Sequence, residues 1–297
     1  MIQARSTAAG ERPSRTITSR TPDLTAVMAQ AASENFPVAS RMLPRTTRSH
    51  LLAVYGFARL VDDVGDEAAG DRLTLLDELE ADLERVWSGV PRHPVLAGLR
   101  STVTACALPI EPFQRLIEAN RRDQIQQRYE TIGELLDYCA LSANPVGELV
   151  LRVFGAATPD RLRLSDAICS GLQLVEHWQD VGEDYRRGRI YIPAADRRSF
   201  GVSEAELAAP AASARFRRLL AFEVDRAMEL LDQGTPLIRT LRGRAAFAVC
   251  AFVAGGRSAL RAIERADYDV LGQRPRPGKL TRAAELVLVP LRLRTSR

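Results

Sequence analysis

The stretch LLAVYGFARLVDDVGDE, residues 51–67, joins a helical segment that is apolar on almost every side to a cluster of acidic side chains. An apolar pattern all round a helix is typical of a helix at the centre of a protein core. Asp62 and Asp66 are four residues apart, so both carboxylates lie on one helix face, with Asp63 turned aside. Like charges at this spacing, and anions at a helix C-terminus, both destabilise a helix. We therefore expect a bound partner to offset the charge of residues 62–67, the first acidic segment.

A second acidic segment, QDVGEDY at residues 179–185, also ends an apolar helical run. Gln173, Glu176, Asp180 and Asp184 are spaced by three, four and four residues, which again places them on one helix face. Two acidic segments, each at the end of a core helix, favour a common explanation.

Two interpretations of these segments are open. They can be solvated carboxylates that pair with nearby arginines, because such acidic spacings occur in many helices by chance. Acidic groups are rarely buried without partners, so the repetition favours two faces that oppose each other across a cavity and hold divalent cations. Mg²⁺ takes carboxylate oxygens together with substrate phosphates. Arg59 lies one turn before the first segment, and Arg186, Arg187 and Arg189 follow the second. These arginines form either ordinary solvated turns or a clamp that stabilises a departing pyrophosphate.

The composition indicates a globular protein with a substantial core. The chain has 297 residues, of which 46% are hydrophobic and 26% charged, and its net charge is +4. All but a few of its basic residues are arginine, whose planar fork suits phosphate oxygens, so we expect a phosphorylated partner. Neither a nucleic-acid-binding motif nor a basic stripe interleaved with aromatic residues is evident, so we predict no nucleic-acid partner. The cysteines are far apart and form no CxxC pair, which favours a reducing cytosol over a disulfide framework: Cys106, Cys139, Cys169 and Cys250.

The patterning at the two ends of the chain predicts a cytoplasmic protein. No run approaches the roughly 20 apolar residues of a membrane span, and the first 20 residues lack the apolar region of a secretory signal. Residues 280–294, LTRAAELVLVPLRLR, are apolar with arginines around them. Peripheral contact with the inner membrane and a packed terminal helix both explain this pattern.

The chain reads as one all-helical domain. From Asp23 onward, segments of helical period alternate with short breaks at proline or glycine, and convincing strand patterns are absent. We predict a disordered basic tail over residues 1–22 and a helical domain over 23–297. The predicted helices cover 23–32, 37–43, 46–67, 71–88, 93–107, 111–123, 131–154, 160–186, 203–232, 236–267 and 280–294.

Four stretches together resemble the squalene and phytoene synthase family. They are SENFPVASRMLP (33–44), AVYGFARLVDD (53–63), YCALSANPVGE (138–148) and GLQLVEHWQDVGEDYRRGRIYIP (171–193). The resemblance covers roughly residues 30–270. It implies an all-α chain with the class I isoprenoid synthase fold, a single-domain helical bundle around a central cavity.

The resemblance also implies a set of site residues and a cofactor. The family binds Mg²⁺ and a prenyl diphosphate through a DDxxD motif on one helix and a DxxxD motif on another, so two or three Mg²⁺ ions are expected. The implied metal ligands are Asp62, Asp63, Asp66, Glu176, Asp180 and Asp184, with Asp62, Asp66, Asp180 and Asp184 also essential to catalysis. The implied substrate-binding residues are Ser33, Phe36, Arg59, Gln173, Arg186, Arg187, Arg189 and Tyr191. No GxGxxG motif is present, so no nicotinamide cofactor is expected.

Within the family, ENFPVAS, SANPVG and HWQDV are most similar to the bacterial hydroxysqualene synthase branch of hopanoid and squalene biosynthesis. That branch converts presqualene diphosphate and water to hydroxysqualene and pyrophosphate, between an enzyme that makes presqualene diphosphate and one that reduces hydroxysqualene. One alternative is head-to-head condensation of two prenyl diphosphates, as in squalene or phytoene synthases. Another is a noncatalytic helical scaffold, motivated by two departures from the family: Glu176 replaces a metal-binding Asn, and Ala140 replaces a larger Tyr or Arg.

Overall fold

The computed structural model of the chain describes residues 43–272 and 274–295. About three quarters of the described residues are helical, and they form no β-strand, so the all-α prediction is confirmed. An isolated bridge joins Arg128 and Ile190. Some predicted features lie outside the described residues: the tail at 1–22, the helix at 23–32, the helix at 37–43 up to its last residue, Ser33 and Phe36.

Thirteen α-helices and one 3-10 helix make up the described part of the chain. Their bounds are α1 Arg45–Asp66, α2 Arg72–Leu83, α3 Arg85–Ser88, α4 Pro94–Cys106, α5 Glu111–Ile125, α6 Ile132–Ser142, α7 Asn144–Val153, α8 Pro159–Arg186, α9 Ala194–Ser199, the 3-10 helix Glu204–Ala208, α10 Ala214–Gly234, α11 Leu237–Thr240, α12 Gly243–Arg265 and α13 Lys279–Thr295.

Helix α1 is the central helix of the first half of the fold, as predicted from its apolar pattern. It begins after Pro44, which starts a helix well because its missing N–H is not needed there. Phe57 and Val61 are completely buried. The ring of Phe57 meets Phe113 of α5 edge-to-face, with centroids 5.0 Å apart. The acidic end of α1 is therefore anchored to a rigid core.

Helix α8 has the same role in the second half. It is 28 residues long and starts where Thr158 caps its N-terminus by accepting a hydrogen bond from the Arg161 N–H. Trp178 is fully buried, and its indole N–H donates to the backbone carbonyl of Glu223 in α10 at 3.0 Å. Helices α7, α10 and α12 pack around α8. The second acidic segment is thus also carried by a core helix.

Several predicted helices are wrong in extent because turn residues divide them. The predicted helix 131–154 is two helices that meet at Ala143, since Pro145 has no N–H to donate to the carbonyl of Leu141 and a new helix starts at Asn144. The predicted helix 203–232 is a short 3-10 helix followed by α10, with Pro210 in the break. The predicted helices 71–88 and 236–267 are likewise divided, at Glu84 and around Leu241.

The described side chains form two apolar clusters. One is built mainly by α1 to α5 and includes Phe57, Leu76 and Phe113. The other is built by the elements from α6 onward and includes Trp178 and Phe216. The charged ends of α1 and α8 extend from different clusters. A contact between these two helix ends therefore also links the two clusters, which are the two halves of the protein.

Helix α12 belongs to the second cluster. By length and composition it could cross a membrane, the one described helix that passes this test, but 67% of its apolar window is buried inside the fold. Val253, Leu260 and Ile263 are completely enclosed by neighbouring helices. Its hydrophobicity is therefore accounted for by packing in the core.

The chain that leaves α12 crosses directly over the second acidic segment. Gln179 donates from its side-chain amide to the backbone carbonyl of Pro275 at 2.6 Å. The backbone carbonyl of Leu271 approaches Gly182 so closely that a Cβ there would lie 2.6 Å from its oxygen. Glycine at 182 is required by this close approach, which holds Leu271 against α8.

Replacing Gly182 by alanine tests this packing. Because the opposing atom is backbone and cannot move aside cheaply, we expect Gly182→Ala to lower the free energy of unfolding by about 1–3 kcal/mol. Gly98→Ala in α4 is the matched control, since no atom lies within 4 Å of its Cβ position and alanine favours the helix by up to about 1 kcal/mol. Urea unfolding of both variants provides the comparison. Equal effects would contradict the close approach.

Candidate active site

A cavity of about 630 Å³ opens where the two halves of the fold meet. It is lined almost entirely by charged and amide side chains, which come from α1, α2, α5 and the segment after α8: Arg59, Asp62, Asp66, Glu67, Arg72, Asp123, Gln124, Gln127, Arg187 and Arg189. Five of these, Arg59, Asp62, Asp66, Arg187 and Arg189, belong to the site predicted from sequence.

The first acidic segment divides between the cavity and its rim. Asp62 and Asp66 line the cavity on one face of α1. Asp63 is turned aside, and its carboxylate pairs with the Arg59 guanidinium at 2.7 Å. Arg59 also reaches Glu67, at 3.2 Å. This arrangement matches the helix-face argument, in which residues 62 and 66 act together.

The second acidic segment lies beside the cavity and does not line it. Asp180 pairs with the Arg274 guanidinium at 2.7 Å. Asp184 borders a smaller hollow that it shares with His177 and Tyr191. No local pattern predicted Arg274, which comes from the segment that crosses α8.

Arg189 connects the two acidic segments. Its guanidinium pairs with the Asp66 carboxylate at 2.6 Å, across 123 residues of sequence. Burial raises the pKa values of Asp184 and Asp123, and the positive charge of Arg189 opposes part of that rise, so it acts on both sides of the site. Arg187 lies at the cavity but pairs with Glu183 at 2.8 Å, whereas Arg186 is exposed to solvent.

The aspartates of both segments are held in surroundings that disfavour their charge. Loss of solvation raises the pKa of Asp62 to about 7, although its side chain is open to the cavity. Burial and repulsion by Asp180 raise the pKa of Asp184 to about 7, and burial raises that of Asp180 to about 6. Because these carboxylates are poorly solvated and only partly paired with arginines, the site favours a bound cation.

Helix α5 contributes a third wall that the sequence analysis missed. Asp123 lines the cavity and accepts a hydrogen bond from the Tyr138 hydroxyl at 2.7 Å. Burial raises the pKa of Asp123 to about 6. Asn120, Asp123 and Gln124 recur at helical spacing beside the apolar residues of α5, and this polar stripe was the available signal.

Arg72 is another residue of the cavity that the sequence did not reveal. It donates to the backbone carbonyls of Asp66 at 2.8 Å and of Ala68 at 3.1 Å. These bonds fasten the turn that follows the first acidic segment, where the last carbonyls of α1 lack helical partners. Arg72 therefore both lines the cavity and fixes its rim.

The other predicted residues lie near one another along α8 and the segment after it. The Gln173 amide contacts the His177 ring at 3.3 Å, and that ring stacks on Tyr191 with centroids 3.7 Å apart. Burial lowers the pKa of His177 to about 3, so the ring is neutral. Glu176 is partly buried one turn before Asp180, and Ala140 is partly buried on α6.

Comparison with known proteins identifies the family. The family model for squalene/phytoene synthase matches residues 29–281. The chain belongs to the squalene/phytoene synthase family. The resemblance read from the four sequence stretches is thereby confirmed.

Individual members of the squalene/phytoene synthase family differ in their reported reactions. The phytoene synthase of Arthrospira platensis is 33% identical over 82% of this chain and 83% of its own length. The hydroxysqualene synthase of Sinorhizobium fredii is 36% identical over 70% of this chain and 72% of its own length. Among solved structures, squalene synthase HpnC from Alicyclobacillus acidocaldarius superposes on this chain with a TM-score of 0.75 and has 44% sequence identity. The match covers 82% of this chain and 95% of that one.

The donors at the cavity fit magnesium, the ion expected for this family. Among the described residues, no group of three or more His, Cys, Asp or Glu side chains is already arranged to hold a metal. Mg²⁺ does not require such a group, because it is bound through one or two carboxylates together with water and substrate phosphates. Asp62 and Asp66 supply a carboxylate pair on the first side, and Asp180 and Asp184 supply one on the second.

The raised pKa of Asp184 predicts a pH-dependent stability. Its protonated form stabilises the fold fully below the ordinary pKa of 3.8, and this contribution is lost as the pH rises through about 7. We therefore expect Asp184→Asn to raise the melting temperature of the metal-free protein by a few degrees at pH 8. The gain declines steadily between pH 7 and pH 4.

Thermal unfolding at pH 8, 6 and 4.5 measures this effect. Asp137→Asn, at an exposed position on α6, is the control and should leave the melting temperature nearly constant at every pH. A gain for Asp184→Asn that is the same at pH 4.5 and pH 8 would contradict the unfavourable charge at the site.

Proposed function

We propose that the protein converts presqualene diphosphate and water to hydroxysqualene and pyrophosphate with the aid of Mg²⁺. The observation that carries the proposal is the cavity in which Asp62, Asp66 and Arg189 converge. A diphosphate with bound cations has the alternating charge that complements this lining. The 36% identity to the hydroxysqualene synthase of Sinorhizobium fredii supports the choice of reaction within the family.

The arginines of the cavity bind and stabilise the diphosphate. Arg59, Arg72 and Arg189 present planar guanidinium groups, which donate paired hydrogen bonds to phosphate oxygens. When the carbon–oxygen bond of the substrate breaks, its electron pair leaves with the pyrophosphate. Fixed positive charge in a partly dehydrated cavity stabilises that developing anion more than the intact substrate. The resulting cyclopropylcarbinyl cation rearranges and is captured by water, which loses a proton.

The aspartates hold the magnesium that accompanies the diphosphate. When held there, Mg²⁺ would supply positive charge at the phosphate oxygens and so stabilise the departing pyrophosphate. Asp66 is paired with Arg189 and Asp180 with Arg274. These ion pairs hold one carboxylate of each acidic segment in place.

Head-to-head condensation of two prenyl diphosphates is the second candidate. It is favoured by the 33% identity to the phytoene synthase of Arthrospira platensis, which spans 82% of this chain. Condensation also begins with the departure of a diphosphate, so it needs the same aspartates and arginines. The two reactions differ in the substrate that is consumed and in the product.

The proposed reaction places the protein between two other enzymes in the cytoplasm. One must join two farnesyl groups to supply presqualene diphosphate, and one must reduce hydroxysqualene. Neither partner has a contact surface that we assign on this chain.

A substrate comparison distinguishes the candidates. We expect the pure protein with Mg²⁺ to consume presqualene diphosphate, to release pyrophosphate and to form hydroxysqualene, and not to consume farnesyl or geranylgeranyl diphosphate. Consumption of farnesyl or geranylgeranyl diphosphate alone would overturn the proposal in favour of condensation. Loss of all turnover, together with no saturable Mg²⁺-dependent binding of pyrophosphate, would favour a noncatalytic scaffold.

Substitution at the cavity tests the role of its aspartates. We expect Asp62→Asn to reduce turnover of presqualene diphosphate by at least about 100-fold, because one ligand for the cation that offsets the leaving charge is lost. Circular dichroism should remain that of the wild type. Asp137→Asn is the control and should keep wild-type turnover. Retained activity in Asp62→Asn would remove this residue from the site.

A further inference from the structure

Gly65, within the first acidic segment, leaves room for a side chain from another helix. A Cβ at this position would lie 2.1 Å from Oδ1 and 2.9 Å from Cγ of Asn120 in α5. Its backbone is helical, so the conformational freedom of glycine is not needed here. Glycine inside a helix costs about 1 kcal/mol relative to alanine. The Asn120 amide therefore occupies the space that a side chain at position 65 would fill.

The Asn120 amide uses this space to reach a carboxylate. It is buried, and its Nδ2 donates to the Asp62 carboxylate and to the Leu116 carbonyl, each at 3.3 Å. One helical turn later, Gln124 donates to the backbone carbonyls of Gly65 and Asn120, each at 3.0 Å. Two amides of α5 thus fasten the acidic end of α1.

Asp62 differs from its neighbours in the kind of partner it has. Asp63 pairs with Arg59, and Asp66 pairs with Arg189. In the part of the chain that the structure describes, the hydrogen bond to the Asp62 carboxylate comes instead from a neutral amide. A neutral donor fixes the orientation of a carboxylate without neutralising it, so the negative charge stays available to a cation.

We propose that Asn120 is a positioning residue, which orients the Asp62 carboxylate toward the cation of the diphosphate site, and that Gly65 is required to admit it. This inference rests on the proposed function. Groups that hold a metal ligand in place contribute substantially to metal affinity, and their loss costs about 10–100-fold. Asn120 does not line the cavity, so it acts through Asp62 and not on the substrate.

Manganese with inorganic pyrophosphate provides a direct binding test that is independent of turnover. Asn120→Leu keeps a similar volume but removes the donor, and Asn120→Asp keeps the shape but replaces the amide. We expect both variants to bind Mn²⁺ about tenfold or more weakly than wild type by isothermal titration calorimetry at saturating pyrophosphate. If the Asn120 side chain only fills space, every variant that folds should keep wild-type Mn²⁺ affinity. That result would overturn the inference.

A pair of variants distinguishes the packing of the Asn120 side chain from its orienting effect on Asp62. Gly65→Ala should lower both the melting temperature and the Mn²⁺ affinity, because the new methyl displaces the Asn120 amide. Gly65→Ala combined with Asn120→Ala removes the contacts with Oδ1 and Cγ and leaves the two Cβ atoms 3.2 Å apart, so we expect the melting temperature to recover in part and the Mn²⁺ affinity to stay low. Recovery of affinity in the double variant would contradict the role of Asn120. Wild-type protein that binds no Mn²⁺ with pyrophosphate would contradict the proposed function itself, and the positioning role with it.

Discussion

The ion pair between Arg189 and Asp66 holds the two halves of the site together. Asp66 ends α1, in one apolar cluster, and Arg189 follows α8, in the other. Arg189 supplies positive charge to Asp66, which lines the cavity, and to Asp184, which lies beside it. The Arg189 guanidinium is largely shielded from solvent, and such a charge is costly without an anionic partner, which the more exposed Asp66 provides. The pairing joins the first acidic segment to the residues that follow α8, and direct packing of α1 on α7 and of α5 on α6 and α7 completes the contact between the two halves.

The same arrangement explains why the aspartates hold raised pKa values in a site that is meant to be charged. Loss of solvation raises the pKa values of Asp62, Asp180 and Asp184, so their ionised forms are unfavourable without a bound cation. Their unfavourable charge is offset in part by Arg189 and Arg274, and we propose that magnesium and a diphosphate complete the offset. The binding energy of the cations is then increased by the repulsion that they relieve.

The sequence predicted those parts of the structure that depend on local patterns. The helical period placed α1 and α8 within one residue at each end, because an apolar pattern over more than 20 residues leaves little freedom of interpretation. Spacing by four residues placed Asp62 and Asp66 on one face, with Asp63 aside, as observed. Helix breaks were less well predicted: the predicted helices 131–154 and 203–232 contain Pro145 and Pro210 beyond their first turns, where the missing N–H removes a helical hydrogen bond.

Residues brought together by packing were not predictable from one sequence. The polar stripe on α5 does not reveal the partners of Asn120 and Asp123, and Arg274 has no local signature. Their partners Asp62, Tyr138 and Asp180 are determined by how the helices pack. The most direct test of the account is the crystal structure of the protein grown with Mn²⁺ and pyrophosphate, with manganese located by anomalous scattering. We predict manganese at the Asp62 and Asp66 carboxylates and at Asp180 and Asp184, with pyrophosphate between them. Pyrophosphate bound outside this cavity, or manganese away from both acidic segments, would contradict it.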